Sequence, residues 1–529
     1  MKKICLLTLA VAMLFCVPLT AHGKADFELG GYIRMDAIWN SHAGAGHALA
    51  TFLGRDNVAN NNHGRFAMNA NATRFNLTMK GPEVWGGKVT GFIEVDFDGG
   101  DPAFAQARNA AGDVTSYIRA DGSSFNQAKL RLRHAMFKMA WPDREIILGQ
   151  FWSVNSELIP ETADSGGYCL YGATQLRNPQ VRYTQKFLDY FSTSLAISHP
   201  ISGRWGLNLD ATNPLEGETS ETPMLEAKFR YEQDLYGKAA WYGKPRPFYV
   251  GIGMGYLRTR NTPQRFVNSR SQNYIVDPTI PTPPGTQAMV PVAGTAVATN
   301  NFNTLGNSNF QNPNIATPGA FLAPVGPLAQ NITNNLTMNA RNMRYHDHWL
   351  FLIENFTPII PTVTQNLAGS LGLAHQWWVG QGLSAWRLDM PGADRYFNFA
   401  QLTPGVANSF DYDMTFIKRY GGWAQLQYYF TNEIFTNVNF GFEKAFGFDG
   451  SRNIAAPGGF NYANPVGNDP VSSTWRVGVT QWYRPVAALK FGLQYTYLQT
   501  RYFQYTTVGT TRTNSGGNHS LMATGYFFF

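Results

Sequence analysis

The side chains with the most chemical potential stand at every second position between Lys129 and Arg133, where Lys129, Arg131 and Arg133 alternate with Leu130 and Leu132. Alternate residues of an extended chain share a face, so these cations form a ladder with steps of about 6 to 7 Å. Guanidinium forks bind carboxylates through paired hydrogen bonds, and a ladder of them offers an anion successive weak contacts rather than a single trap. The preceding extended stretch, Val89 to Asp98, carries Glu94, Asp96 and Asp98 on one face. Neighbouring strands of opposite charge stabilise each other, so plain charge balance is the competing reading of the same residues. Other chemistry finds no support. No Ser, His and Asp are arranged for nucleophilic catalysis, no Gly-rich phosphate loop opens a helix, and no carboxylates are placed for glycoside hydrolysis. Asn518, His519 and Ser520 are adjacent, but adjacent residues of a strand point to opposite faces. His346 and His348 share a face and lack a third ligand. The expectation is a protein with no catalytic residues, no metal site and no cofactor, and not an enzyme.

Two kinds of sheet could position such a ladder. A soluble sheet would put the leucines on a core, whereas a membrane barrel puts leucines on lipid and cations in an aqueous lumen. The rest of the chain favours the barrel. From Phe27 to Trp39 apolar and polar residues alternate, with Ile38 as the exception on the polar parity. The same period returns in Arg74 to Lys80, Val89 to Asp98, Val181 to Lys186, Leu225 to Glu232 and Leu489 to Tyr497. Further strands are expected over 191–198, 248–257, 348–356, 366–379, 415–430, 434–446, 473–482 and 520–529, which gives about sixteen with the pair 129–140 and 144–152. Short turns alternate with long Gly, Asn and Pro-rich loops, the rhythm of periplasmic turns and extracellular loops in an outer-membrane barrel. The longest such loop runs over 261–344. The fold class expected is therefore all-β, a transmembrane antiparallel barrel. Its terminal Phe529, on an alternating last strand, resembles the signal read by the barrel assembly machinery of the outer membrane.

Composition agrees. Of 529 residues, 14% are aromatic and only 15% charged, with 52 glycines, and the mean hydropathy of -0.24 hides apolar residues in alternation. Lys2 and Lys3, an apolar run from Ile4 to Val17 and small residues up to Gly23 form a secretory signal over 1–23, cleaved near Gly23 or Ala25. Phe15, before Cys16, argues against a lipid anchor. Cleavage takes Cys5 and Cys16, so only Cys169 remains and no internal disulfide can form. No later apolar run reaches the roughly 18 to 20 residues of a membrane helix. The net charge of +7, two lower without Lys2 and Lys3, comes with no dense basic run, so nucleic acid is not an expected partner.

Several stretches carry a resemblance. LRLRHAMFKMAWPDREIILGQFWS (130–153), PETADSGG (160–167), RNPQVRYTQ (177–185) and the early GGYIRMDAIW with TRFNLTMKGP resemble the DcaP-like porins of Gram-negative bacteria. The match is densest over the first 190 or so residues. What it implies is a 16-stranded trimeric diffusion channel, in a family whose founding member is associated with dicarboxylic acids. The small residues Gly31 and Ala37, on the apolar parity of the first strand, would let a second barrel approach. The chain departs from the family in lacking the periplasmic coiled-coil extension of some members and in its long 261–344 segment.

If the polar parity faces water, the pore is lined by Arg34, Arg74, Lys129, Arg131, Arg133, Arg182, Lys228 and Arg230, with Lys80, Lys186, Arg476 and Lys490 beyond them. Against these stand Glu94 and Asp96, together with Glu28, Asp36, Asp98, Glu226, Glu232 and Glu443. Cations outnumber anions, which favours anionic solutes. The resemblance to trimeric porins implies that the loop 154–175 folds inward as a constriction, its Glu157, Glu161 and Asp164 opposing the arginine wall. The function expected is an outer-membrane porin passing small hydrophilic anions such as dicarboxylates. The alternative is a surface barrel whose long loops bind a partner, as an adhesin or receptor does.

Overall fold

The computed structural model describes residues 26–42, 53, 56, 63–99, 104–108, 114–119, 129–164, 172–199, 222–261, 264–267, 274–276, 289–291, 339–340, 344–362, 366–387, 395–401, 409–448, 471–508 and 511–529. Sixteen antiparallel strands close into a barrel: β1 (Asp26–Asn40), β2 (Arg74–Val84), β3 (Gly87–Gly99), β4 (Lys129–Ala140), β5 (Arg144–Trp152), β6 (Arg177–Phe187), β7 (Phe191–Ser198), β8 (Met224–Gln233), β9 (Phe248–Asn261), β10 (Arg344–Ile360), β11 (Leu371–Gln381), β12 (Ser409–Tyr429), β13 (Ile434–Phe448), β14 (Val471–Val486), β15 (Leu489–Val508) and β16 (Thr511–Phe528). Each strand pairs with its neighbour in sequence. β1 then pairs with β16 from Tyr32↔Phe528 to Asn40↔Ser520, so the sheet has no free edge. Closure is what a sheet in hydrocarbon requires, because lipid offers no partner to an open row of backbone groups. A short segment, Arg65–Asn69, continues β2 along the far half of β1.

The alternation read from the sequence runs inside out. On β1, Leu29 is 70% and Ile33 53% exposed, while Arg34 is 2% and Asp36 4%. A water-soluble sheet would bury the first pair and expose the second, so the exterior is the lipid face. Exposed aromatics gather near both rims, Trp39 and Tyr345 at one and Phe187, Phe430 and Phe527 at the other, the girdle positions of membrane barrels. The limits expected for the strands 129–140 and 144–152 coincide with β4 and β5. β9 and β10 pair directly from Tyr249↔Phe356 to Asn261↔Arg344, so they are neighbours in the wall, while in the stretch between them 264–267 pairs with 339–340 and with 409–411 at the start of β12. Most of that stretch lies outside the described residues, as do the signal segment and Cys169. Gly31, expected to serve as a small contact residue, has a second reason to be glycine. Its φ is 150°, and a Cβ there would meet the backbone of Arg74 and Phe75.

The barrel carries its core inside. Among the described residues, two of the connections that enter the lumen meet inside it. The loop 153–176 between β5 and β6, described over 153–164 and 172–176, packs Leu158 and Ala173 against Tyr249, Phe356, Ala374 and Trp423, the inward residues of β9, β10, β11 and β12. From the opposite end, the β8–β9 connection folds into a hairpin, Ala239–Trp241 with Lys244–Arg246, and Trp241 joins the same cluster. A second cluster explains Ile38, the exception on β1: it is buried in the lumen with Ala163 of the loop, Ala240, Leu367, Tyr429, Phe435, Trp482 and Met522. Apolar residues on the lumen parity thus mark where a loop lies on the wall rather than where water does.

Candidate functional site

Three strands build the basic wall. Arg131 on β4 donates from Nε and Nη2 to the two oxygens of Asp96 on β3, at 2.9 and 2.7 Å. Arg133 donates to Glu94 at 2.6 Å and to Asp96 at 2.8 Å. Arg74 on β2 stands 3.6 Å from Glu94, with its guanidinium 5.2 Å from the centre of the Tyr32 ring. Alternation alone would not seat Arg133 here together with its successor. The pairing slips between Glu94↔His134 and Val95↔Leu132, leaving Arg133 as a bulge, and both Arg133 and His134 are buried. The inward parity of β4 changes at that point, which is how Lys138 reaches Glu145 at 3.5 Å. Lys129 pairs through its backbone with Gly99, and its side chain lies outside the described residues. Arg34 binds Asp36 at 2.8 Å and donates to the carbonyl of Ala163 on the loop. Arg182 on β6 sits 3.9 Å from Glu145.

The acids expected to oppose the arginine wall, Glu157, Glu161 and Asp164, each bind cations on other strands than β4. Glu157 lies 3.0 Å from Lys228 and 3.3 Å from both Arg230 and Arg246, and it accepts from the Tyr249 hydroxyl at 3.0 Å. Glu161 binds Lys490 on β15, and Asp164 lies 3.2 Å from Arg476 on β14. The loop starts beside β8, where Glu157 meets Lys228 and Arg230, and crosses the lumen to β14 and β15, where Asp164 and Glu161 meet Arg476 and Lys490. Lys228 is also paired with Glu354, and Arg230 with Glu232. Burial pushes the Glu157 carboxyl up, but the charges of Lys228, Arg230 and Arg246 outweigh it and hold the group well below the usual carboxylate range. Because the folded value is depressed, these ion pairs persist as pH falls through about 4 and are lost only below it.

Uncharged amides dock the loop backbone, a role the sequence did not reveal. The Oε1 atoms of Gln425 and Gln494 accept from the amides of Glu161 and Ala163, both at 2.7 Å. Asn437 Nδ2 donates to the Glu161 carbonyl at 2.6 Å, and Gln376 Oε1 accepts from Thr174 N at 2.9 Å. Above this row, Glu443 on β13 pairs with Arg387 and Arg419. Side chains on four strands thus fix a non-regular segment inside the barrel, the satisfaction that buried backbone requires. The signal available was the run of neutral polar residues on one parity of β12 to β15.

His348, one of the paired histidines, bonds Thr259 Oγ1 at 3.0 Å and the Gly382 carbonyl at 2.7 Å. On β16, Asn518 and Ser520 are buried whereas His519 lies on the exterior, so these three residues do not converge on one site.

No model of a protein family matches the chain, and no curated protein sequence matches it. Solved structures do match in fold. The crystal structure of the outer membrane channel DcaP of Acinetobacter baumannii has a TM-score of 0.51 at 14% identity, over 96% of this chain and 98% of that one. The anion-selective porin from Comamonas acidovorans (TM-score 0.45, 8% identity, 96% and 100% covered) and Pseudomonas putida OprB (0.42, 11%, 96% and 94%) are also similar. At such identity the likeness to the first of these carries the fold: the chain is a transmembrane β-barrel of porin architecture, with the apolar exterior that places it in the bacterial outer membrane.

Proposed function

We propose that the chain is a DcaP-like outer-membrane porin, a passive diffusion channel for small hydrophilic anions such as dicarboxylates, assembled as a homotrimer. The observation that supports the anionic reading is the wall of β2, β3 and β4, where the guanidinium groups of Arg74, Arg131 and Arg133 converge on the carboxylates of Glu94 and Asp96. Nε of Arg74 is left without an acceptor among the described residues. The side chains of Arg131 and Arg74 are 26% and 17% exposed, so part of this cationic wall stays within reach of a solute. A cationic wall concentrates anions, and groups already set in carboxylate-binding geometry can exchange one carboxylate for another. The loop carrying Glu157, Glu161 and Asp164 then acts as the constriction, leaving a path along the wall of β2, β3 and β4.

Single-channel recording across a salt gradient tests this: discrete conductance with a reversal potential of the anion-selective sign is expected, and cation selectivity would overturn the anionic reading. The trimer rests on the resemblance. Native mass spectrometry in mild detergent should give three copies, and a monomer across several detergents removes the trimer while leaving the channel. A second reading, a surface barrel whose loops bind a partner, is favoured by the packing of the loop and the hairpin into the lumen. Intact barrels that carry no current would select it.

A further inference from the structure

Most connections at the end where the chain starts and finishes are tight, such as 85–86, 188–190 and 487–488. The connection 234–247 is the longest at that end, the periplasmic end in barrels of this kind. Its middle is the hairpin Ala239–Trp241 with Lys244–Arg246, turned at Tyr242 (φ 50°) and Gly243 (φ 73°), the left-handed pair of a two-residue hairpin turn. Rather than standing free, the hairpin rises into the barrel. Ala239 and Ala240 are fully buried and Trp241 is 8% exposed. The Trp241 ring stacks on Trp423 (6.4 Å, 16°) and lies 5.6 Å from Phe356, both facing the lumen. Trp423 stands six residues before the end of β12 at Tyr429, roughly 20 Å along the strand.

The hairpin is tied at both ends. At its base the amide of Thr362 donates to the Lys238 carbonyl at 2.6 Å. At its tip the Tyr242 hydroxyl donates to the Ile159 carbonyl at 2.9 Å, and from its base Arg246 reaches Glu157 at 3.3 Å. The loop that enters from the opposite rim is therefore met, residue for residue, by a hairpin from below. A tight turn would have joined β8 to β9. A buried tryptophan and two buried alanines on a longer one belong to a segment whose resting place is inside.

We propose that this hairpin is a second constriction element, which meets the 153–176 loop inside the lumen and fixes the size limit of the channel. The proposal rests on the channel reading above. Its solutes are those that pass beside the joined loop and hairpin, along the wall of β2, β3 and β4, which restricts the channel to small ions.

The test uses the full-length protein in planar bilayers, as wild type, with residues 235–246 replaced by Asn-Gly, and as the milder Trp241→Ala with Tyr242→Ala. Heat-modifiable gel migration reports whether each barrel has closed. The replacement should raise single-channel conductance at least twofold and admit larger polyethylene glycols, and the double substitution should shift both in the same direction. Closed barrels of both variants with wild-type conductance and polymer cutoff would overturn the proposal and leave the channel reading intact. A silent wild type beside a conducting replacement would uphold the hairpin as a closure. Silence in all three would remove both readings. If the replacement fails to close, the double substitution decides on the same two measurements.

Discussion

Exchanging Arg131 and Arg133 together for glutamine should abolish anion preference and tip the channel toward cations. The wall holds three guanidinium groups on Glu94 and Asp96, and the exchange leaves Arg74 as the one of the three still beside these two carboxylates. In a partly desolvated pore a unit charge is worth on the order of a kcal/mol to a passing ion, so a change of two charges shifts the anion-to-cation permeability ratio by about tenfold or more. Two causes can produce such a shift. A companion in which Glu94→Gln and Asp96→Asn are added restores the net charge of the wall while keeping both arginines absent. If net charge governs, the companion regains the wild-type reversal potential. If the arginine forks themselves bind the solute, dicarboxylate flux stays low in both variants while neutral sugars pass as before. An unchanged reversal potential in the first variant would assign these arginines to charge balance between β3 and β4. The companion also guards against misfolding, since Asp96 is fully buried and unpaired buried carboxylates are costly.

The fold was legible because lipid imposes one rule on every strand: whatever happens inside, the outward parity is apolar. That is why β4 and β5 could be bounded to the residue and sixteen strands counted. The partners of lumen residues followed no such rule. Glu161 meets Lys490 and Asp164 meets Arg476 across more than three hundred positions of sequence, through a loop path that no local pattern encodes. The neighbours Glu94, Asp96, Arg131 and Arg133 pair between adjacent strands, the arrangement that charge alternation alone made the simplest one.

Some of what went unread left a trace. Ile38 broke the polar parity of β1, and Leu350, Leu352 and Phe356 did the same on β10; all four are buried inside the lumen. On β9 the inward positions include Gly253 and Gly255. A Cβ at Gly253 would strike Asn155 of the loop, and one at Gly255 would come within 2.6 Å of the Trp386 ring. A glycine row on the lumen parity marks a strand on which other chain rests. The hairpin of 234–247 was signalled only by its length and by Trp241, whose place depends on the joined faces of β10, β11 and β12.

Leucine at position 354 should be among the most destabilising single changes in the lumen. Glu354 is fully buried and accepts from Lys228 Nζ, from the Tyr249 hydroxyl and from Gln376 Nε2 at 2.9 Å. Glu354→Leu strips a buried ammonium of one counter-charge, leaving it Glu157 at 3.0 Å, and leaves the Gln376 donor without its acceptor. Breaking a buried pair from one side costs about 3–5 kcal/mol, mostly the penalty of the stranded charge. Adding Lys228→Met removes that charge, so the double variant should regain most of the loss, with Glu157 still held by Arg230 and Arg246 and still accepting from Tyr249. Urea unfolding from lipid vesicles, followed by tryptophan fluorescence, measures all four corners of the cycle. A double variant as weak as the single one would mean that packing, not the stranded charge, carries the cost. A single variant as stable as wild type would show that the Glu157 cluster alone holds the loop against β8 and β9, and the effect of Glu354 should then appear only when Glu157→Gln is made beside it.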